Sequence, residues 1–247
     1  MSGPAVEQRG RGFPQTRHSI IERLRTGADE VRTQAFGDVV EAYWKPVYTH
    51  FRLTWGLDPE DARDATQGMF AEALEMEWLP RFDPAKARFR TFLRVCADRF
   101  VQHRRDAASA LKRGGAVVTV PLDFEGAERL ALARLTAPAI DPDAVFHEEF
   151  VRALFERAVA ALRRELEDAG KSKVFAMFER HDLAPREGDS YAALARELGV
   201  TPTQVTNGLA LARRRFREQA IEALRRVCGS DDELRRDARE LFGVEID

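Results

Sequence analysis

From Ser19 onward, apolar residues recur mostly at helical spacing, and the only strand-like run is the brief VVTV at 117–120. Ile20, Ile21 and Leu24 share one face behind Ser19, a candidate N-cap, and Gly27 interrupts the pattern. A long helix is expected over about 31–55, where Phe36, Val39, Val40, Tyr43, Trp44, Val47, Tyr48 and Phe51 form a stripe too wide for a lone surface helix. Pro46 inside it predicts a kink or a local break. Asp58 as cap and Pro59 at the first position open a third helix, with Ala62, Ala65, Met69, Ala73 and Met76 inward and Asp64, Gln67 and Glu72 outward. Phe89, Phe92, Leu93, Cys96 and Phe100 give a fourth its core face, while Arg90, Arg94 and Arg105 share an outer side. Gly114, Gly115, Pro121, Pro138 and Pro142 then break the pattern, which reads as a linker carrying one short helix at Phe124–Leu135. Periodicity resumes at Ala144 with Phe146, Phe150, Leu154, Ala158 and Leu162, and continues after Gly170 with Val174, Phe175 and Phe178. A last amphipathic helix is expected over Asp231–Phe242, resting on Leu234, Ala238 and Leu241.

The stretch 190–217, SYAALARELGVTPTQVTNGLALARRRFR, carries the sharpest local signals. Tyr191, Leu194, Ala195 and Leu198 form one apolar face, and Gly199 stands where a helix end favours positive φ. Thr201 and Pro202 restart the chain as N-cap and first helical residue. Val205, Leu209, Ala212 and Phe216 then face inward, while Thr203, Gln204, Thr206 and Asn207 project near the N-terminus and Arg213, Arg214, Arg215 and Arg217 follow. This is the layout of a helix-turn-helix, with short polar side chains for base edges and arginines for phosphates. The same pattern also fits an ordinary helical hairpin with a solvated basic face.

Charge distribution changes the picture more than composition does. The net charge is only −2 over 247 residues, so nucleic-acid affinity has to come from local patches. From residue 36 to 80 there are nine acidic residues against three Lys/Arg, and from 81 to 114 ten Lys/Arg against three Asp. An acidic helix followed by a basic one with Phe82 and Phe89 in the loop before it suits single-stranded DNA, where aromatics stack on bases and arginines track phosphates. A charged helical bundle with segregated faces is the plainer alternative. Residues 1–16, rich in Gly, Pro and Arg, are expected to be disordered. Cys96 and Cys228 read as two separate buried thiols of a reducing compartment, and the absence of a membrane-length apolar run or signal-peptide core points to the cytoplasm. There is no Gly-rich phosphate loop, no nucleophile elbow and no cluster of metal-ligating residues; His147–Glu148 lacks the second His of a zinc-protease helix, because Val151 stands there. Neither catalysis nor a metal or cofactor is expected.

Three blocks in order, AYWKPVYTHFRLTWGLDPEDARDATQGMFAEAL, RFDPAKARFRTFLRVCADRF and the helix-turn-helix, resemble an extracytoplasmic-function sigma factor of bacterial RNA polymerase over about 19–224. Asp64, Gln67 and Phe70 match that family's D-x-x-Q-x-x-F signature. The FPQTRHS opening, the KRGG and PLDFE linker segments and the C-terminal DDELRR are similar to a less common subgroup with a long linker and a C-terminal extension. The resemblance implies an all-α fold of two helical domains joined by a flexible linker. The boundaries are 1–17 disordered, 18–107 region 2-like, 108–143 linker, 144–228 region 4-like and 229–247 extension. It implies a transcription initiation factor without catalysis, whose partners are core polymerase (beta-prime clamp helices and beta flap) and promoter DNA, with an anti-sigma protein or a kinase as candidate regulator.

By that resemblance Asp61, Asp64, Gln67 and Phe70 would dock on polymerase. Phe82, Arg88, Phe89, Arg90, Phe92, Arg94, Arg99 and His103 would capture the melted −10 strand. Thr203, Gln204, Thr206, Asn207, Arg213, Arg214 and Arg215 would read the −35 duplex. The chain departs from the family pattern at Gly68, where an acid is usual, at Thr206 and Gly208, where basic residues are common, and over 165–188, which is longer than the usual short turn. The alternative readings are a helix-turn-helix regulator acting without polymerase and an interaction protein that kept the fold but lost promoter use.

Overall fold

The structure, a computed structural model, describes residues 19–108, 122–135, 141–186 and 190–246. The VVTV run, the 1–16 segment and the GG pair of the linker lie outside the described residues. The described chain is helical, with no strand.

Local chemistry accounts for most of the boundaries. Helix α1 (Ile20–Thr26) begins with a reciprocal capping box between Ser19 and Glu22. Helix α2 (Asp29–Leu53) runs through Pro46 as one helix, against the expectation of a break. Its flanks Tyr43, Val47 and Phe51 are locked in the core, and α6 packs along it, which holds the helix together where one backbone bond is missing. Helix α3 (Pro59–Glu75) starts on Asp58, whose side chain accepts from the Asp61 amide, with Pro59 in the first turn. Met76 is not part of its inner face, since the helix ends at Glu75, the chain turns away through Glu77 (φ 46°) and Met76 is 59% exposed. A 3-10 turn (Leu79–Arg81) leads to α4 (Phe89–Ala108).

Helix α5 (Phe124–Leu135) falls where the sequence placed a short helix, but it is no loose tether. Phe124 is buried edge-on against Trp44 and Tyr48, each at 5.2 Å. Glu128 accepts from the Tyr48 hydroxyl at 2.5 Å and from Arg52 at 2.7 and 2.8 Å. The Arg52 bonds hold the Glu128 carboxyl below its ordinary range. The flexible-linker expectation over 108–143 is therefore corrected for this middle segment, which is bound to α2 by both packing and charge.

Helix α6 (Pro142–Asp168) is the spine. Its first half (Phe146, Phe150, Leu154) belongs to the large core built on α1–α4, together with the end of α9 (Pro202–Arg225) and α10 (Asp231–Phe242). Its second half (Leu162, Leu166) packs with Phe175 and Phe178 of α7 (Ser172–Phe178) and Ala212 of α9. A third cluster joins Met177, Leu194 and Ala195 of α8 (Tyr191–Leu198), and Val205 and Leu209 of α9. The segments expected as two separate domains thus share α6 and the end of α9 within one large core.

Candidate nucleic-acid interface

The two helices and the tight turn expected over 190–217 form where the sequence places them. Ser190 caps α8, Gly199 ends it in the left-handed region (φ 61°), and Thr201 and Gln204 cap α9 reciprocally beside Pro202. Val205, Leu209 and Ala212 are fully buried. Gly208 is also buried, and a Cβ there would stand 2.6 Å from the Met177 sulfur. The glycine thus lets α9 lie close against α7, which gives the departure at that position a packing reason.

One stripe of α9 lies wholly in water. Thr203, Asn207, Ala210, Arg214 and Arg217, spaced four, three, four and three, are all exposed. Gln204 and Thr206 are exposed too, yet partly engaged: the Gln204 side chain accepts from the Thr201 amide at 2.8 Å, and the Thr206 hydroxyl donates to the Pro202 carbonyl at 3.2 Å. Thr203 and Asn207 carry no such bond among the described residues, so their polar groups are the ones left open to solvent. The arginine cluster divides in the same way. Arg213 donates to both carboxylate oxygens of Asp182 at 2.7 and 2.8 Å, which raises its pKa further and lowers that of Asp182. Arg215 bonds Glu218 at 2.7 Å and lies 3.3 Å from Glu165. Arg214 and Arg217 have no ion-pair partner among the described residues. Asp182 sits in the π-helical turn Glu179–Leu183 of the 165–188 segment, so that segment both buttresses α9 and occupies one of its arginines.

On α3, Asp61 and Asp64 are exposed with Glu60, and Gln67 is half-buried. Phe70 does not belong to that exposed surface. It is 4% exposed, and a small apolar cavity beside it is lined by Phe36, Val40, Leu74 and Leu122. Gly68 faces α4, where an added Cβ would approach the Phe100 ring to 3.1 Å, so an acidic side chain at that position would meet the ring.

The strand-capturing set is changed most. Phe82 and Phe89 are 1% and 0% exposed and meet edge-on at 5.2 Å, so neither ring is presented to a base. Phe92 is half-buried against Phe82 and Trp78. Arg88 makes two bonds to Glu240, at 2.6 and 2.7 Å, and lies 3.1 Å from Asp237. Arg90 is buried on Asp237, not on an outer side. Arg94 bonds Asp98 at 2.9 Å and pairs with Asp143. Arg99 and His103 alone of the set are exposed. For Arg88 and Arg90 the cause is α10, which lies over the start of α4. Buried Glu233 accepts from the backbone amides of Phe89 (2.8 Å) and Gly229 (3.0 Å), and burial pushes its carboxyl pKa upward despite those bonds. Gly229 rests on the Phe82 ring, where a Cβ would be 2.3 Å from the nearest carbon.

Residues missed in the sequence include Asp98, which accepts from the Trp55 indole at 2.9 Å and lies 2.6 Å from His50, tying α2 to α4. Burial lowers the His50 pKa, with Asp98 opposing it. Cys96 and Cys228 are both free thiols, and burial raises the pKa of each, Cys96 to about 11. Among the described residues, no group of three or more His, Cys, Asp or Glu is placed to hold a metal ion, and no helix is long and apolar enough to cross a membrane. No family model matches the chain, and no curated protein or solved structure matches it either.

Proposed function

We propose that the protein is a transcription initiation factor that binds core bacterial RNA polymerase and directs it to promoters, with a region 2-like unit over 18–107 and a region 4-like unit over 144–228. The observation that carries the reading is the exposed stripe of α9, with polar groups at Thr203 and Asn207 and cations at Arg214 and Arg217 about two and three turns beyond Asn207, none of them with a side-chain partner among the described residues. Base edges and phosphates need those groups in that order when a recognition helix enters a major groove N-terminus first. The exposed acids of α3 behind the D-x-x-Q-x-x-F pattern support the polymerase half, with Asp61 and Asp64 as contacts and Gln67 at the edge of the surface. Phe70 acts there by setting the pose of α3 from below.

Pull-down of the full chain with core polymerase tests this. Binding that weakens with Asp64→Ala and Gln67→Ala supports the reading, and wild-type protein that fails to bind core polymerase sinks it.

One observation favours a second reading. Of the groups expected at a melted strand, Phe82 and Phe89 are buried and Arg88, Arg90 and Arg94 are paired, which suits a duplex-binding regulator that works without polymerase. Tight, sequence-specific operator binding by the isolated protein would select that alternative.

A further inference from the structure

The acidic face of α10 is unusual because it points inward. Glu233, Asp237 and Glu240 lie on one side of the helix, and the first two are buried. A row of carboxylates along an amphipathic helix normally faces water, because burying ionised groups costs several kcal/mol each unless they are paired. Here each has a cationic or N–H partner on or just before α4. Glu233 takes the Phe89 amide, Asp237 takes Arg88 and Arg90, and Glu240 takes Arg88. Beside them a cleft of about 380 Å³, lined in part by Arg88, Arg90, Arg94 and His147, stays open to solvent.

These partners are the groups a nucleic-acid strand uses: guanidinium ions for phosphates, and a helix-start amide with its favourable dipole end. The segment before α10 also seats Gly229 on Phe82, closing the loop whose aromatics would stack on a base. We infer that α10 is a built-in occupant of the single-strand surface of α4, its carboxylates standing where strand phosphates would lie. A single strand and α10 therefore compete for Arg88 and Arg90. This rests on reading α4 as a strand-contacting helix.

The contacts divide usefully for a test. Glu240 is exposed and outside the core, so Glu240→Gln releases one side of Arg88 without opening a cavity. Glu245→Gln removes an equal charge from the exposed pair with Arg239, remote from Arg88, and serves as control. Binding of the full chain to a labelled single-stranded oligonucleotide and to its duplex is measured across a salt series. Glu240→Gln should tighten single-strand binding several-fold and steepen its salt slope by up to about 0.7, as Arg88 keeps only its contact with Asp237. Asp237→Asn combined with Glu240→Gln should approach about twice that change, and Arg88→Ala in the Glu240→Gln background should abolish the gain.

If the double variant does not fold, Glu240→Gln and its control decide alone. An unchanged slope in folded Glu240→Gln, or an equal change in Glu245→Gln, overturns the inference. Equal gains on duplex and single strand overturn the assignment of a single strand. Core-polymerase pull-down in parallel separates the two proposals: polymerase binding with an unchanged slope removes only the α10 inference. A steepened slope without polymerase binding supports competition by α10 and removes the initiation-factor reading.

Discussion

Replacing Asp237 by alanine should cost the protein far more than replacing Glu240, although both carboxylates meet the same arginine. The Asp237 side chain is 1% exposed and pairs with Arg90, itself 10% exposed at its side chain. Without Asp237, the nearest remaining anion to Arg90 is Glu240 at 3.9 Å, and the Phe150 ring lies 5.8 Å away. Breaking a buried pair on one side leaves a desolvated charge and costs about 3–5 kcal/mol. The Glu240 side chain is 46% exposed, and a pair that wet contributes only about 0–1 kcal/mol. For a chain of this size each kcal/mol shifts the melting temperature by about 2–4 °C, so Asp237→Ala should lower it by roughly 6–20 °C and Glu240→Ala by no more than about 4 °C.

A ceiling applies. Once the penalty exceeds the free energy that docks α10, the helix leaves and Arg90 hydrates, so the global loss saturates while the amides of α10 lose their hydrogen-exchange protection. Urea unfolding followed by circular dichroism, with exchange measured on α10, distinguishes the two regimes. Pairing Asp237→Leu with Arg90→Met should recover most of the loss, because a packed apolar pair avoids desolvating ions. Equal and small costs for Asp237→Ala and Glu240→Ala, with α10 still protected, would refute the claim that a buried ion pair holds α10 on α4.

Other consequences are simpler to read. Arg214→Ala with Arg217→Ala should flatten the salt slope of duplex binding by about 1.8, while Arg213→Ala should change it less, since Arg213 is already held by Asp182. Asn207→Ala should relax discrimination at one base position by about 1–3 kcal/mol, read from competition among site variants. Gly208→Val should destabilise the helix-turn-helix by about 1–3 kcal/mol in urea unfolding, since even a Cβ there would overlap the Met177 sulfur. Glu128, held below its ordinary value of 4.5 by the Arg52 bond, contributes stability present above that value and lost as pH falls through its lower folded value. The stability difference between wild type and Glu128→Gln should therefore shrink on acidification.

The helix-turn-helix was legible because its determinants are local. Ser190, Gly199, Thr201 and Pro202 act within a few residues of where they stand, and each does the task its chemistry suggests. The same holds for Ser19 and Asp58, and for the extent of Phe124–Leu135. What stayed hidden depends on distant partners. Arg88 and Glu240 are 152 residues apart, and nothing near either one announces the other. Leu234, Ala238 and Leu241 rightly marked the apolar side of α10, yet Glu233 and Asp237 beside that narrow stripe are also buried, because distant groups, the Phe89 amide and Arg90, supply their partners. The aromatics before α4 misled for a related reason. An exposed stacking ring and a core ring look alike in sequence, and the distant contacts that bury Phe82 and Phe89, such as Gly229 on Phe82, are not local. Phe70 did carry a signal, since it follows Thr66 by four and widens the buried face of α3.

The most direct measurement is transcription by core polymerase supplied with this protein, on promoter templates selected for initiation in its presence. The account expects initiation that depends on the protein, falls when Asp64 or Asn207 is replaced by alanine, and requires both an upstream duplex element and a melted downstream one at fixed separation. Purified protein that gives no initiation above core polymerase alone, while binding its own duplex site tightly without polymerase, would contradict it.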